Sequence, residues 1–108
     1  MRQYDYYVYM LRCNDGSYYT SITNSVVRRL WQHQNGINPD CYTFSRRPVE
    51  LVYSAWFTNV FEAIHWEKQI KRWSRKKKEA LIRGEWQKIQ ECAKRRTPFP
   101  KYNQSMSP

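Results

Sequence analysis

The chain has 108 residues, a formal net charge of +10 and 17% aromatic residues. That length suits one domain with a thin core, supplied largely by Trp, Tyr and Phe. No run approaches the roughly 18 apolar residues of a membrane span, and the start, MRQYDYYVY, lacks a signal-peptide pattern, so a cytoplasmic protein is expected.

Tyr6–Cys13 reads as a strand, rich in Tyr and β-branched residues with no breaker. NDGS follows as a strong hairpin turn, and Tyr18–Thr23 as the second strand. Asn24 or Ser25 can cap a helix whose apolar face is Val26, Val27 and Leu30. Gln34–Arg47 contains NGINPD and reads as an irregular loop. Pro48 leads into VELVYSAWF, a third strand. Asn59, three residues before Glu62, caps a main helix to about Trp73, and Ser74 caps a shorter one, Arg75–Ile82. Gly84 interrupts, and Glu85–Ala93 can form a last helix. The order β-β-α-β-α implies an α+β domain over residues 1–95, a small sheet covered by helices, with residues 96–108 as a loose tail.

The charge is uneven. From Lys68 to Lys101 the chain holds 13 Lys and Arg against three Glu, while elsewhere six basic and six acidic residues cancel. A concentrated positive patch favours polyanions, because binding them releases condensed counterions. An anionic membrane surface competes as a target. The run KRWSRKKKEALIRGEW interleaves Trp73 and Trp86 with its cations, which suits nucleic acid better. The candidate contacts are Lys71, Arg72, Arg75, Lys76, Lys77 and Lys78, with Arg28 on the first helix. The cysteines Cys13, Cys41 and Cys92 are odd in number without CxxC spacing, which argues for reduced thiols and against a zinc site.

Two polar groups break the helical patterns. On the main helix, Glu67 falls between Ala63 and Val60 inside the apolar stripe, although glutamate belongs on the opposite face. A carboxylate turned inward must pair, either in a structural salt bridge, with Arg29 as one partner, or with a hard divalent cation. On the first helix, His33 falls near the apolar side and Arg29 at its edge, one turn apart, while Arg28 points away. His33 is either a packed core histidine or a member of a site with Arg29, whose planar fork suits phosphate oxygens.

The hairpin register decides where the tyrosines go. A three-residue NDG loop puts Gly16 in the left-handed position and pairs Cys13 with Ser17, Leu11 with Tyr19 and Tyr9 with Ser21. Tyr9 and Tyr19 then share a face, as paired positions do. A two-residue DG loop shifts the register by one and puts them on opposite faces. Tyrosines also simply suit strands.

These residues resemble the GIY-YIG endonucleases. Tyr7-Val8-Tyr9 stands where that family has its first motif and Tyr19-Thr20-Ser21 where it has its second. TNSVVRRLWQH matches its arginine at Arg29 and histidine at His33, and EAIHWEKQIKRW matches its metal-binding glutamate at Glu67. The likeness runs from about Tyr6 to Ile82 and is closest to small stand-alone bacterial members with a DGS hairpin and a WSRxKKEALI segment. It implies a three-stranded antiparallel sheet flanked by helices, and phosphodiester hydrolysis with one divalent metal, Mg2+ or another such as Mn2+. The partner implied is nucleic acid, with DNA expected ahead of RNA, and no small-molecule cofactor. Tyr9 would activate water and Arg29 would stabilise phosphoryl charge. Two residues depart from the family pattern. Tyr7 replaces the first glycine. Ser21 replaces the glycine of the second motif, opposite Tyr9, where a hydroxyl can crowd the site or bond to the phenol and so weaken catalysis. A binding module without turnover is therefore the rival expectation.

Overall fold

The computed structural model describes residues 4–84. The chain order is β1 (Tyr6–Arg12), β2 (Tyr18–Thr23), α1 (Val26–Gln34), a 3-10 turn (Phe44–Arg46), β3 (Glu50–Phe57), α2 (Val60–Lys71) and α3 (Arg75–Ile82). The expected last helix, Glu85–Ala93, and the tail lie outside the described residues.

The three strands form one antiparallel sheet in the order β2-β1-β3. The hairpin closes through Asn14, Asp15 and Gly16, with the Cys13 amide donating to the Ser17 carbonyl at 2.8 Å. Gly16 takes φ +86°, where a side chain would be strained. Asp15 locks the turn by accepting from the Ser17 amide and hydroxyl at 3.0 and 2.6 Å. The register is that of the three-residue loop: Tyr9 faces Ser21 and Leu11 faces Tyr19. On its other side β1 pairs with β3, with a bulge between Met10 and Leu11.

Alternation along β1 then divides the core. Val8 and Met10 face α2 and α3, packing with Ala63, Trp66, Ile70, Ala80 and Leu81. Trp66 has no exposed surface, and its indole donates to the Tyr53 hydroxyl at 3.1 Å. Losing such a side chain costs about 3–5 kcal/mol. On the opposite face Tyr9, Leu11 and Cys13 pack with Val49, Tyr19 and Leu30. One sheet thus has a mainly apolar side and a side that carries hydroxyls inward.

The helix starts follow their caps. The Asn59 side chain accepts from the amides of Phe61 and Glu62 at 2.8 and 3.3 Å, and the Ser74 hydroxyl from the Lys77 amide at 3.2 Å. Ser25, rather than Asn24, caps α1 by accepting from the Arg28 amide. α2 ends at Lys71, before the expected Trp73, because Ser74 must be extended to cap α3. Val27 does not belong to the apolar face of α1: it is 82% exposed, since one residue past Val26 turns it about 100° away from the sheet.

The basic segment also needs correction. Lys77 is buried, its ammonium 4.3 Å from the centre of the Trp73 ring, so it is not a surface cation. Lys78 is half-buried, and burial lowers its pKa. Lys71, Arg72, Arg75 and Lys76 are exposed.

Candidate active site

β1 and β2 present Tyr9 and Tyr19 from neighbouring strands on one face, their ring centroids 6.4 Å apart. α1 crosses that face and brings in His33, edge-on to Tyr19 with centroids 5.2 Å apart. The Tyr9 hydroxyl lies 2.8 Å from His33 Nε2, and both residues are buried. His33 is therefore buried, with a hydroxyl beside its Nε2.

The other imidazole nitrogen meets the loop after α1. Thr43 Oγ1 lies 2.8 Å from His33 Nδ1, with Thr43 only 1% exposed. The Thr43 hydroxyl donates onward to Cys41 Sγ at 3.4 Å. Between these two residues Tyr42 stacks on Tyr19 at 6.1 Å and 14°, and the Arg46 guanidinium covers the Tyr42 ring at 3.8 Å. Nothing in the sequence marks this segment: it has no periodicity, and its contacts join residues distant in the chain. Thr43, Cys41 and Tyr42 are site residues that sequence reasoning missed.

The charges follow the geometry. Burial, then the neighbouring Tyr19, pushes the Tyr9 pKa up to about 12, against opposition from Arg29 and the Ser21 hydroxyl. Burial also raises Tyr19, again opposed by Ser21. Ser21, which faces Tyr9 across the strand pair, works against both rises and so favours the ionised form of each phenol. His33 is pushed below its ordinary value, first by burial and then by Arg29, so it is neutral at neutral pH. Burial works to raise Cys41, but hydrogen bonds from Thr43 and Tyr19 and the charge of Arg29 outweigh it and leave the thiol more acidic than usual. A cavity of about 150 Å³ opens among Arg29, Gln32, His33, Cys41, Thr43 and Phe44.

Glu67 is held by a different partner. Its side chain is only 14% exposed and is paired with Lys71 at 2.9 Å, not with Arg29. Lys71 is also a charge felt by Tyr19. Among the described residues no three His, Cys, Asp or Glu gather into a metal-binding group. The donor set nevertheless suits Mg2+, which commonly takes one or two carboxylates and completes its shell with substrate phosphate and water. A metal bound there would have to displace the Lys71 ammonium from Glu67. Arg28 is exposed and donates to Asn24 at 2.9 Å, outside the cluster.

The β1–β2 hairpin thus offers two tyrosines to a helix that offers arginine and histidine, within a small α+β domain. The family described as the GIY-YIG catalytic domain matches residues 5–80. A UPF0213 protein from Bacillus pumilus is 43% identical over 82 residues, covering 76% of this chain and 83% of that protein. A second, from Staphylococcus saprophyticus, is 43% identical over 71% of this chain and 93% of its own length. The solution NMR structure of the protein EF2693 from E. faecalis is 32% identical, covers 76% of this chain and 88% of its own, and superposes with a TM-score of 0.53. The chain belongs to the GIY-YIG family, a nuclease superfamily, and its α+β fold with a three-stranded antiparallel sheet is that of the family.

Proposed function

We propose that the chain is a divalent-metal-dependent endonuclease that hydrolyses phosphodiester bonds in DNA. The observation that carries this reading is the 2.8 Å contact between the Tyr9 hydroxyl and His33 Nε2, beside the Arg29 charge. A phenol near pKa 12 cannot by itself take a proton from water at neutral pH. A neutral imidazole within hydrogen-bond reach gives that proton a place to go.

The step runs as a relay. Tyr9 gives its proton to His33 Nε2 while its oxygen takes one from the attacking water. The hydroxide so formed bonds to phosphorus, the bond from phosphorus to the leaving oxygen breaks, and that oxygen takes a proton from solvent. Arg29 offsets the growing charge on the phosphoryl oxygens. It also links binding to chemistry. In the free protein it disfavours imidazolium; with a phosphate beside it, that repulsion is partly neutralised and His33 becomes a better base. Glu67 would hold the metal, which when bound supplies Lewis-acid stabilisation of the phosphate oxygens.

One observation favours the binding-module reading: Lys71 already occupies Glu67 at 2.9 Å. Nicking of supercoiled plasmid with Mg2+, Mn2+ or EDTA, by wild type and Glu67→Ala, separates the two. The proposal requires Mg2+-dependent nicking by wild type that Glu67→Ala loses while still binding DNA. Binding without nicking in either metal supports the module. Cleavage of RNA in place of DNA supports an RNA-directed enzyme.

A further inference from the structure

We infer that Thr43 is a positioning residue that sets the tautomer of His33, holding its proton on Nδ1 and leaving Nε2 free to receive the proton of Tyr9. This rests on the nuclease reading for its consequence, but the tautomer assignment stands on the geometry of three side chains.

A threonine hydroxyl has one proton to donate and lone pairs to accept. Here the proton goes to Cys41 Sγ, at 3.4 Å. With the proton so placed, the Thr43 oxygen, 2.8 Å from His33 Nδ1, accepts and Nδ1 carries the hydrogen; the reverse chain, in which the Cys41 thiol donates to Thr43 and Thr43 to Nδ1, is the outcome that the spectra below separate from it. A neutral imidazole has only one N–H, so Nε2 is the acceptor and Tyr9 the donor at 2.8 Å. The direction runs unbroken from Tyr9 through His33 and Thr43 to Cys41. Reversing it would require Tyr9 to accept from Nε2–H and keep its own proton, which leaves His33 unable to act as its base. Cys41 Sγ also lies 3.8 Å from Nδ1, a longer contact to a poorer acceptor than the Thr43 oxygen.

The arrangement also survives the reaction. After proton transfer the imidazolium still donates from Nδ1 to the same Thr43 oxygen, so no side chain must move. Thr43 brings no negative charge, unlike a carboxylate in that place. His33 consequently keeps its depressed basicity and releases the proton readily once the product leaves. Thr43 is 1% exposed, so its hydroxyl is held in one place beside the imidazole.

The test is the nitrogen chemical shifts of His33 in the full-length 15N-labelled protein at neutral pH. The chain has two histidines, and the exposed His65 serves as internal control. Wild type should show Nδ1 protonated and Nε2 unprotonated. Thr43→Val, nearly isosteric, should move His33 toward the other tautomer and lower single-turnover cleavage about tenfold at saturating DNA. Its DNA affinity should stay unchanged. Thr43→Ser should restore both readouts. A wild-type His33 protonated on Nε2 overturns the inference outright, whether or not any variant folds. So does a Thr43→Val protein that keeps the wild-type tautomer, since Cys41 would then suffice. If wild type cleaves no nucleic acid, the nuclease reading fails, and the spectra alone decide Thr43.

Discussion

A phenol and an imidazole in contact divide one proton between them, and their surroundings decide where it rests. Ser21 bears on that division because its hydroxyl favours the ionised form of Tyr9. Ser21→Gly should therefore slow single-turnover cleavage by about two- to tenfold, the effect of losing one hydrogen bond. A faster variant would mean that crowding beside the phenol dominates. His33 gives the pH dependence. Its pKa in the fold lies below the ordinary 6.5, and only neutral His33 accepts a proton. The rate should rise with pH along a limb lying below pH 6.5 and then level off. Stability carries the same sign. Above 6.5 both folded and unfolded His33 are neutral; below it the unfolded chain takes up the proton first, so stability falls as the pH falls. Thermal unfolding between about pH 7 and 5 should show that fall, reduced in His33→Gln.

At the scale of elements, the loop after α1 is the part that makes the site, and it is held by the hairpin. The Asn14 amide donates to the Arg46 carbonyl at 2.8 Å, and Arg46 pairs with Asp15 at 3.1 Å while covering Tyr42. Arg46→Ala should cost less than about 1 kcal/mol in chemical unfolding, as exposed ion pairs do. It should nonetheless lower the cleavage rate about tenfold, because small displacements of a reacting group are expensive. An unchanged rate would show that the loop holds Thr43 without this latch. The same loop separates what was legible in the sequence from what was not. The hairpin register could be framed because Gly16 fits the left-handed position of the three-residue loop, and the caps at Asn59 and Ser74 because they act on amides two or three residues away. Register and helical period left Tyr9, Tyr19 and His33 open between packing and site roles, and the family resemblance singled them out. Thr43 was not legible, because it lies in an irregular loop and meets His33 through a contact that no local pattern announces. Lys77 was misread for the related reason that a lysine stem can lie along a tryptophan and bury its charge there.

For the whole molecule, the net charge of +10 gathers in the part of the chain that follows Glu67, and among the described residues only some of those cations face solvent. Arg72 and Lys76 are exposed, whereas Lys77 packs on Trp73. Replacing Arg72 and Lys76 together by Gln should reduce the slope of log K against log salt by about 0.9 for each duplex phosphate that the protein no longer neutralises. Lys77→Gln should lower the unfolding temperature and leave that slope nearly unchanged. Equal slopes in all three proteins would make the segment a solvated face.

In the proposed reaction Tyr9, acting with His33, moves the proton of the attacking water, and everything else in the site serves that transfer. Single-turnover cleavage of one Mg2+-supplemented DNA substrate, at saturating protein, by wild type and Tyr9→Phe tests it most directly. Phe keeps the buried ring and removes the oxygen that touches His33. The expected result is a loss of about a hundredfold or more in rate, with DNA affinity unchanged. A folded Tyr9→Phe protein that cleaves as fast as wild type would contradict it.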